Sequence, residues 1–389
     1  MRTTGCSNPS CDDDAVTDRV IAAIGMARYL ADPTIDRIAL DLGDFHPGSH
    51  GGLELDLSVD EGLVSRCLAR IGLMHRSAEK LFEARDYRQI MMLANRHDWL
   101  SAVSSEIGVV LAVEEATGIT APDRVSWSRM VMAEAGRIGA VSLLVAAGGV
   151  PSALHLREAW ATWQERATGG RVHPMINRIG GLAHPIPTSA LDEVADFCDR
   201  ARYEANAWRS HFADRSELRD LATLTEATAR DFACSGAVGQ ASGVDWDLRR
   251  DDPYLAYADV AVDWSAPVRT EGDARARYLS LVEQVPLSCS ILAHSVERLR
   301  DSGQAAYSVP LPKTLRVPEG LVHVRTQNPL GIASWLLVSD GDAMPLRLKA
   351  RTPSFAHLQA LQHALVGTPI GALSAAVGSF FFVTGDADR

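Results

Sequence analysis

Tight cysteine pairs are missing from this 389-residue chain. The six cysteines, at positions 6, 11, 67, 198, 234 and 289, form no C-x-x-C unit, and only Cys6 and Cys11 are close neighbours. Thiolate metal sites favour such pairs, joined by a second pair or by histidines at set spacing. The pattern therefore predicts free thiols in a reducing compartment. Also missing is a basic start followed by an apolar stretch. Met1 to Val16 carries the acidic run Asp12-Asp13-Asp14 instead, so no targeting signal is read and the cytoplasmic side is expected. Strongly apolar runs of roughly twenty residues, the length a membrane span needs, are lacking too. Ile138 to Leu154 is too short and breaks at Gly148-Gly149-Val150-Pro151, and Ala364 to Thr384 contains Gly367, Pro369, Gly371 and Gly378. Both read as buried helices or turns. Positive charge is in deficit, 38 Lys and Arg against 49 Asp and Glu for a formal net charge of −11, which excludes a nucleic-acid or anionic-lipid surface as partner.

What is present is ordinary globular composition, 47% hydrophobic and 22% charged, in a chain long enough for two or three lobes. Residues 1–40 read as a separate acidic leader with a short apolar helix pattern through Ile21, Ile24 and Met26. Alternation of Leu53, Leu55, Leu57 and Val59 with Glu54, Asp56 and Ser58, the turn Asp60-Glu61-Gly62 and a second run from Leu63 to Leu68 predict a β-hairpin. Helical spacing predicts helices near 77–85, 98–117, 126–149, 153–167, 188–212, 217–233 and 274–302, the last interrupted by Pro286. A second hairpin is expected from Ile332 to Ala350 around Asp340-Gly341-Asp342, followed by a helix from Phe355. The fold class is thus α+β and mostly helical, a helical body with small β-hairpin units near both ends.

Four segments carry candidate chemistry. In His46-Pro47-Gly48-Ser49-His50-Gly51-Gly52, two imidazoles on a Gly-rich loop could bind a metal, move a proton or donate to a ligand oxygen, and equally could be satisfied loop residues. In Met74-His75-Arg76-Ser77-Ala78-Glu79-Lys80, His75 and Glu79 share a helix face, in the plainer reading a solvated charged cluster. Thr168-Gly169-Gly170-Arg171-Val172-His173 leads to Arg178-Ile179-Gly180-Gly181, where arginines flank glycines and either reach an anion or tie loops together. Ser339-Asp340-Gly341 through Pro345 and Arg347 to Pro353-Ser354-Phe355 is by itself a hairpin.

Taken in order with Gly43 to Gly51 and the ending Gly385-Asp386-Ala387-Asp388-Arg389, these segments resemble the D-subunit family of respiratory complex I, from about residue 41 to the last. Nickel-iron hydrogenase large subunits are wider relatives, which implies a hydrogenase-large-subunit-like fold over a 41–389 domain. They hold their metals with two cysteine pairs. Asn95 to Leu100 and Phe380 to Arg389, the corresponding stretches, contain none, so a nickel-iron centre is rejected and no metal is assigned to this chain.

The resemblance implies a subunit of an NADH:quinone oxidoreductase, active only in the assembled complex. Electrons would pass from NADH through FMN and iron–sulfur clusters to quinone, coupled to proton translocation. The quinone cavity would lie against a B-type partner holding a 4Fe–4S cluster, with the C-type, other peripheral-arm and membrane-arm subunits as further partners, peripheral on the cytoplasmic face of the cell membrane. No cofactor is implied for this chain itself. Quinone reduction builds charge on two oxygens, so donors or proton sources must stand there. The family's headgroup histidine maps onto His50 and its tyrosine onto Trp99. His46, Gly51, His75, Asp98, His173 and Arg178 fall around the cavity and cluster. Indole donates a hydrogen bond but delivers no proton as phenol does. Two further departures lie near Pro151, where about two helical turns are lacking, and at Val238-Gly239-Gln240-Ala241, where an arginine is lost. The rival reading is a non-catalytic scaffold that keeps the fold. A metal hydrolase built on His46 and His50 has no carboxylate at ligand spacing and ranks last.

Overall fold

The computed structural model describes residues 18–24, 36–40, 42, 46, 52–265, 268–303 and 305–389. The first sheet has strand order β2-β1-β3-β4, built from β1 (Asp18–Ile24), β2 (Asp36–Ala39), β3 (Leu53–Asp60) and β4 (Leu63–Arg70). Leu53, Leu55 and Leu57 are wholly buried while β4 shows solvent most of its side chains, the alternation a one-sided sheet requires. Glu61 and Gly62 both adopt positive φ, 49° and 79°, the two-residue turn whose twist suits a hairpin. The apolar pattern through Ile21 and Ile24 is a strand, not a helix: β1 pairs along its whole length with β3 and in parallel with β2, burying Ile21 to Ile24. Met26 lies outside the described residues. Sheet pairing overrides a pattern too short to settle its own period.

The helical body follows: α1 (Ala78–Glu83), α2 (Ile90–His97), α3 (Ala102–Thr117), α4 (Asp123–Ala147) and α5 (Leu154–Thr168). The two-residue strands β5 (Asn177–Arg178) and β6 (Gly181–Leu182) then form a turn. Next come α6 (Thr188–Asp192), α7 (Val194–Asp214), α8 (Glu226–Asp231), α9 (Gly236–Gln240), α10 (Leu248–Asp251) and α11 (Ala274–Asp301). A second sheet, β7 (Gly320–Asn328), β8 (Gly331–Ser339) and β9 (Arg347–Arg351), precedes α12 (Pro353–Ala364), α13 (Leu373–Gly378) and α14 (Thr384–Ala387). The fold is α+β and mostly helical, as the periodicity predicts.

At the centre α4 packs on α11, which also packs on α7, while α3 lies against β7 and β8. By length and composition α4 and α11 are each long and apolar enough to cross a membrane, but 94% and 67% of their apolar windows are buried inside the fold. Ile138 to Leu154 is the last part of α4 and the turn into α5, and Ala364 to Thr384 holds the end of α12, a turn and α13.

Three further expectations are corrected. Helix α11 runs through Pro286 without interruption, although proline removes one backbone N–H. Packing against α4 on one side and α7 on the other holds the helix across that lost bond. The stretch 217–233 is helical only over α8 and a short 3-10 turn at Ser216–Leu218, because Asp220 and Ala222 take positive φ. The buried guanidinium of Arg277 claims the carbonyls of Leu221 (3.3 Å) and Ala222 (3.0 Å) that a helix would need. Strand β7 was not expected and pairs with all of β8.

Inside this body His357 is wholly buried between two backbone carbonyls, Nδ1 at 3.0 Å from Phe381 O and Nε2 at 3.2 Å from Ser235 O. A neutral imidazole has one N–H, so only one of these contacts is a donated hydrogen bond. Burial pushes the ring's pKa down to about 4. An unfolded histidine titrates near ~6.5, so the stabilisation is complete above that pH and is lost as pH falls towards about 4. Chemical denaturation of the wild type should show reduced stability at pH 5 relative to pH 7. His357→Gln should flatten that slope, and an unchanged slope would show that the ring protonates freely.

Candidate functional site

The sequence motifs converge at one end of the body. The carboxylate of Asp388 accepts from Gly72 N and Met74 N, both at 2.7 Å, and His75 Nδ1 donates to Asp388 O at 2.8 Å. Glu79 accepts from Ala350 N at 3.0 Å, pairs with Arg347, and lies 3.5 Å from Arg389 Nε. His75 and Glu79 are therefore fastening points, so the segment from Gly72 to Glu79 is tied to the last residues and to the second hairpin. His75, Arg76, Ser77 and Lys80 remain exposed, so the segment is solvated on one side and fastened through His75 and Glu79 on the other.

That fastening carries Asp386 to the end of α2. Asp386 is wholly buried, and its Oδ1 lies 3.1 Å from His97 Nε2. The next residue, Asp98, is 2% exposed and caps the short turn Trp99–Ser101, accepting from Ser101 N at 3.2 Å, with Asn328 Nδ2 at 3.5 Å. Burial, and then the negative charge of Asp386, raise the Asp98 carboxyl to about 7. Two acids and an imidazole thus meet where Asn95 to Leu100 faces Phe380 to Arg389. His46 is buried, its ring edge-on to Phe382 at 5.4 Å between centroids. His50 and Gly51 lie outside the described residues.

Trp99 is half-buried and lines a narrow cleft of about 10 Å³ together with Ser101, Gly136, Trp160 and Gln164. The loop bearing the third motif borders it through Val172. His173 is half-buried, its pKa lowered by burial and by the charge of Arg96. Arg178 spends Nη1 on its own loop, donating to Met175 O at 2.6 Å and Asn177 O at 2.7 Å. Arg178 in this position ties a loop together.

Two buried acids escaped the sequence reading. Glu106 in α3 accepts from Asn177 N (3.1 Å), from Asn177 Nδ2 (2.9 Å) and from Asn95 Nδ2, joining the end of α2 to the Arg178 loop. Burial raises its pKa. Glu114 pairs with Arg129 through both oxygens at 2.7 and 2.9 Å and accepts from Gly180 N at 2.7 Å. A charged residue amid an apolar helical run is the only signal either leaves in the sequence. Among the described residues no group of three or more His, Cys, Asp or Glu is placed to hold a metal ion. The described cysteines are scattered: Cys67 half-buried on β4, Cys234 buried, and Cys198 and Cys289 buried between α7 and α11.

A mostly helical α+β body whose last residues close on the end of α2 in a buried cluster of acids and histidine is the class of protein defined here. Residues 144–312 and 302–389 match the family described as respiratory-chain NADH dehydrogenase, 49 Kd subunit. The NADH-quinone oxidoreductase D-subunit numbered 2 of Streptomyces griseus subsp. griseus is 41% identical over 366 residues, covering 90% of this chain and 92% of that protein. The D-subunit numbered 1 of Streptomyces coelicolor is 41% identical over 373 residues (90% and 95%), and the D-subunit numbered 2 of Rhizobium etli 31% over 387 (90% and 95%). The chain belongs to the family of complex I 49-kDa subunits, the D-subunits of NADH-quinone oxidoreductases.

Proposed function

We propose that this chain forms the quinone-reducing cavity of an NADH:quinone oxidoreductase, at the interface with an iron–sulfur B-type subunit. FMN and the 4Fe–4S clusters belong to partner subunits and deliver the electrons of NADH. The C-type and membrane-arm subunits complete a complex that couples the reaction to proton translocation on the cytoplasmic face of the cell membrane. His50 donates to the quinone headgroup and Trp99 stands at the second headgroup position, with His46, Gly51, His75, Asp98, His173 and Arg178 around the cavity and the cluster. The observation that most supports this reading is Asp98. It is a buried carboxyl titrating near neutrality next to Trp99, the kind of group that can hand a proton to a reduced quinone oxygen at working pH.

Trp99 favours one rival, a catalytically degenerate scaffold, because indole donates no proton. Co-expression with the B-type and C-type subunits separates the two. The expected result is a stable complex that reduces a short-chain quinone with NADH and contains iron only when the B-type subunit is present. A stable complex that passes electrons from NADH to a soluble artificial acceptor, but never to quinone, would establish the scaffold. A chain that ignores both partners would overturn both readings.

A further inference from the structure

The cleft beside Trp99 contains polar atoms that the protein leaves without partners. The side-chain amide of Gln164 has a determined orientation: Nε2 donates to Gly170 O at 3.1 Å and to Arg171 O at 2.8 Å. Its Oε1 must therefore act as the acceptor, yet Gln164 is wholly buried and Oε1 has no donor. One turn earlier on α5, Trp160 Nε1 is a buried donor with no acceptor. Leaving such groups unpaired costs free energy, and native folds normally satisfy them with protein or water. Both residues line the same cleft, whose roughly 10 Å³ is about the room one water needs.

The cleft is built rather than left over. Trp160 can reach it because Gly139 on α4 has no side chain. A Cβ there would lie 2.5 Å from the indole ring. Gly136, one turn earlier on α4, faces open space, with nothing within 4 Å of where its Cβ would stand. Trp99 and Ser101 also line it; the Ser101 backbone N–H donates to the buried carboxyl of Asp98 at 3.2 Å, and the Ser101 hydroxyl is a third buried polar group without a partner.

We propose that Trp160 Nε1 and Gln164 Oε1 hold one water molecule that, with the Ser101 hydroxyl, relays a proton from Asp98 to the quinone oxygen at Trp99. This rests on the quinone-cavity reading above and names the proton path that Trp99 itself lacks. The balance is simple. Asp98 loses one proton and becomes a carboxylate. Ser101 and the water each gain one proton and pass one on, ending unchanged. The quinone, having received its electrons from the iron–sulfur partner, gains the proton on oxygen, and Asp98 is reprotonated before the next turnover. In this arrangement Trp160 and Gln164 are positioning residues, because they hold the relay water and neither gains nor loses a proton.

Gly136→Ala is the decisive variant, because it adds a methyl group to the open wall of the cleft and narrows the room left for the water, while alanine suits a helix better than glycine. In the assembled complex it should lower the kcat for quinone at least tenfold, a part of the roughly 10² to 10⁴ that general acid catalysis supplies. The KM should change little, and the thermal stability of the isolated chain should be kept or raised. Ser101→Ala should lower kcat in the same way. A high-resolution structure of the wild type should show an ordered water within hydrogen-bond distance of both Trp160 Nε1 and Gln164 Oε1, absent from Gly136→Ala. Full turnover in Gly136→Ala, or a wild-type map without that water, overturns the relay while leaving the cavity reading intact. A wild-type complex that reduces no quinone overturns both.

Discussion

In the assembled complex, His50→Ala lowers quinone-reductase turnover by on the order of 10² or more, and Trp99→Tyr raises it. General acid or hydrogen-bond donation at a developing oxyanion is worth roughly 10² to 10⁴ in rate, so both changes exceed assay scatter. The expectation for His50 comes from its loop and its neighbours. His46, four residues earlier, is buried against Phe382, and Phe382 leads directly to Asp386 at the acid cluster. On the proposed reading His50, four residues further along the sequence, is the headgroup donor. Trp99 follows from chemistry: it lines the cleft beside Asp98, where a phenol would add a titratable proton that indole does not have. Steady-state kinetics with a soluble quinone, alongside NADH oxidation by an artificial acceptor to report assembly, checks both. Unchanged turnover and quinone affinity in His50→Ala would show that the headgroup position has been abandoned, and a Trp99→Tyr variant no faster than wild type would show that proton supply at that position does not limit turnover.

The largest effect on stability is expected at Glu134, midway along α4. Its carboxylate is wholly buried and accepts from Tyr257 OH at 2.6 Å, Ser288 Oγ at 2.6 Å, Arg249 Nη1 at 2.9 Å and Arg137 Nε at 3.2 Å. Arg249 is also paired with Asp247 through Nε (3.0 Å) and Nη2 (2.6 Å), while Arg137 donates to the carbonyls of Gln327 (2.6 Å) and Asn328 (2.9 Å). One acid thus connects α4, α10, α11 and β7. Glu134→Leu would leave two buried guanidinium groups with a single carboxylate between them, and breaking a buried pair in this way typically costs about 3–5 kcal/mol. Burial by itself would raise the Glu134 carboxyl, but the charges of Arg249 and Arg137 outweigh it and hold the pKa at about 2. An unfolded glutamate titrates near ~4.3. The depressed value therefore means stability that is complete above about pH 5 and is lost as pH falls towards about 2, on the order of 3 kcal/mol in all. Urea unfolding of wild type and Glu134→Leu between pH 7 and pH 3 should show the two curves converging on the acid side. Parallel curves would place the acid sensitivity elsewhere.

Several elements were readable because their signals are local. Leucines at every second position make β3, and the turn at Glu61 and Gly62 closes it onto β4. Glycines mark the ends of α3, α4 and α5 at 118, 148 and 169. The family resemblance was readable too, because its motifs are short, ordered and rich in residues with few substitutes. β7 was missed because it depends on pairing with β8, and α11 continues through Pro286 because neighbours on two sides hold it. The first 40 residues contain β1, whose strand character comes from β3, a partner distant in the sequence.

For the site, residue types were legible and relations were not. His75 and Glu79 stood out as a pair on one helix face, yet their partners are Asp388, Arg347 and Arg389, at the other end of the chain. Glu106, Glu114 and Glu134 read as ordinary acids because a sequence does not state burial, and burial is what turns a carboxylate into a structural tie or a proton holder. By itself the sequence determined the periodicities, the turns, the absence of paired thiolates and the ordered motifs, all of which are properties of neighbours along the chain. Only the tertiary structure decided that His97 and Asp98 meet Asp386, that Asp98 titrates near neutrality, and that Trp160 and Gln164 face the cleft beside Trp99. Those facts depend on which distant segments exclude water together, and desolvation is a property of the packed molecule rather than of any stretch of its chain.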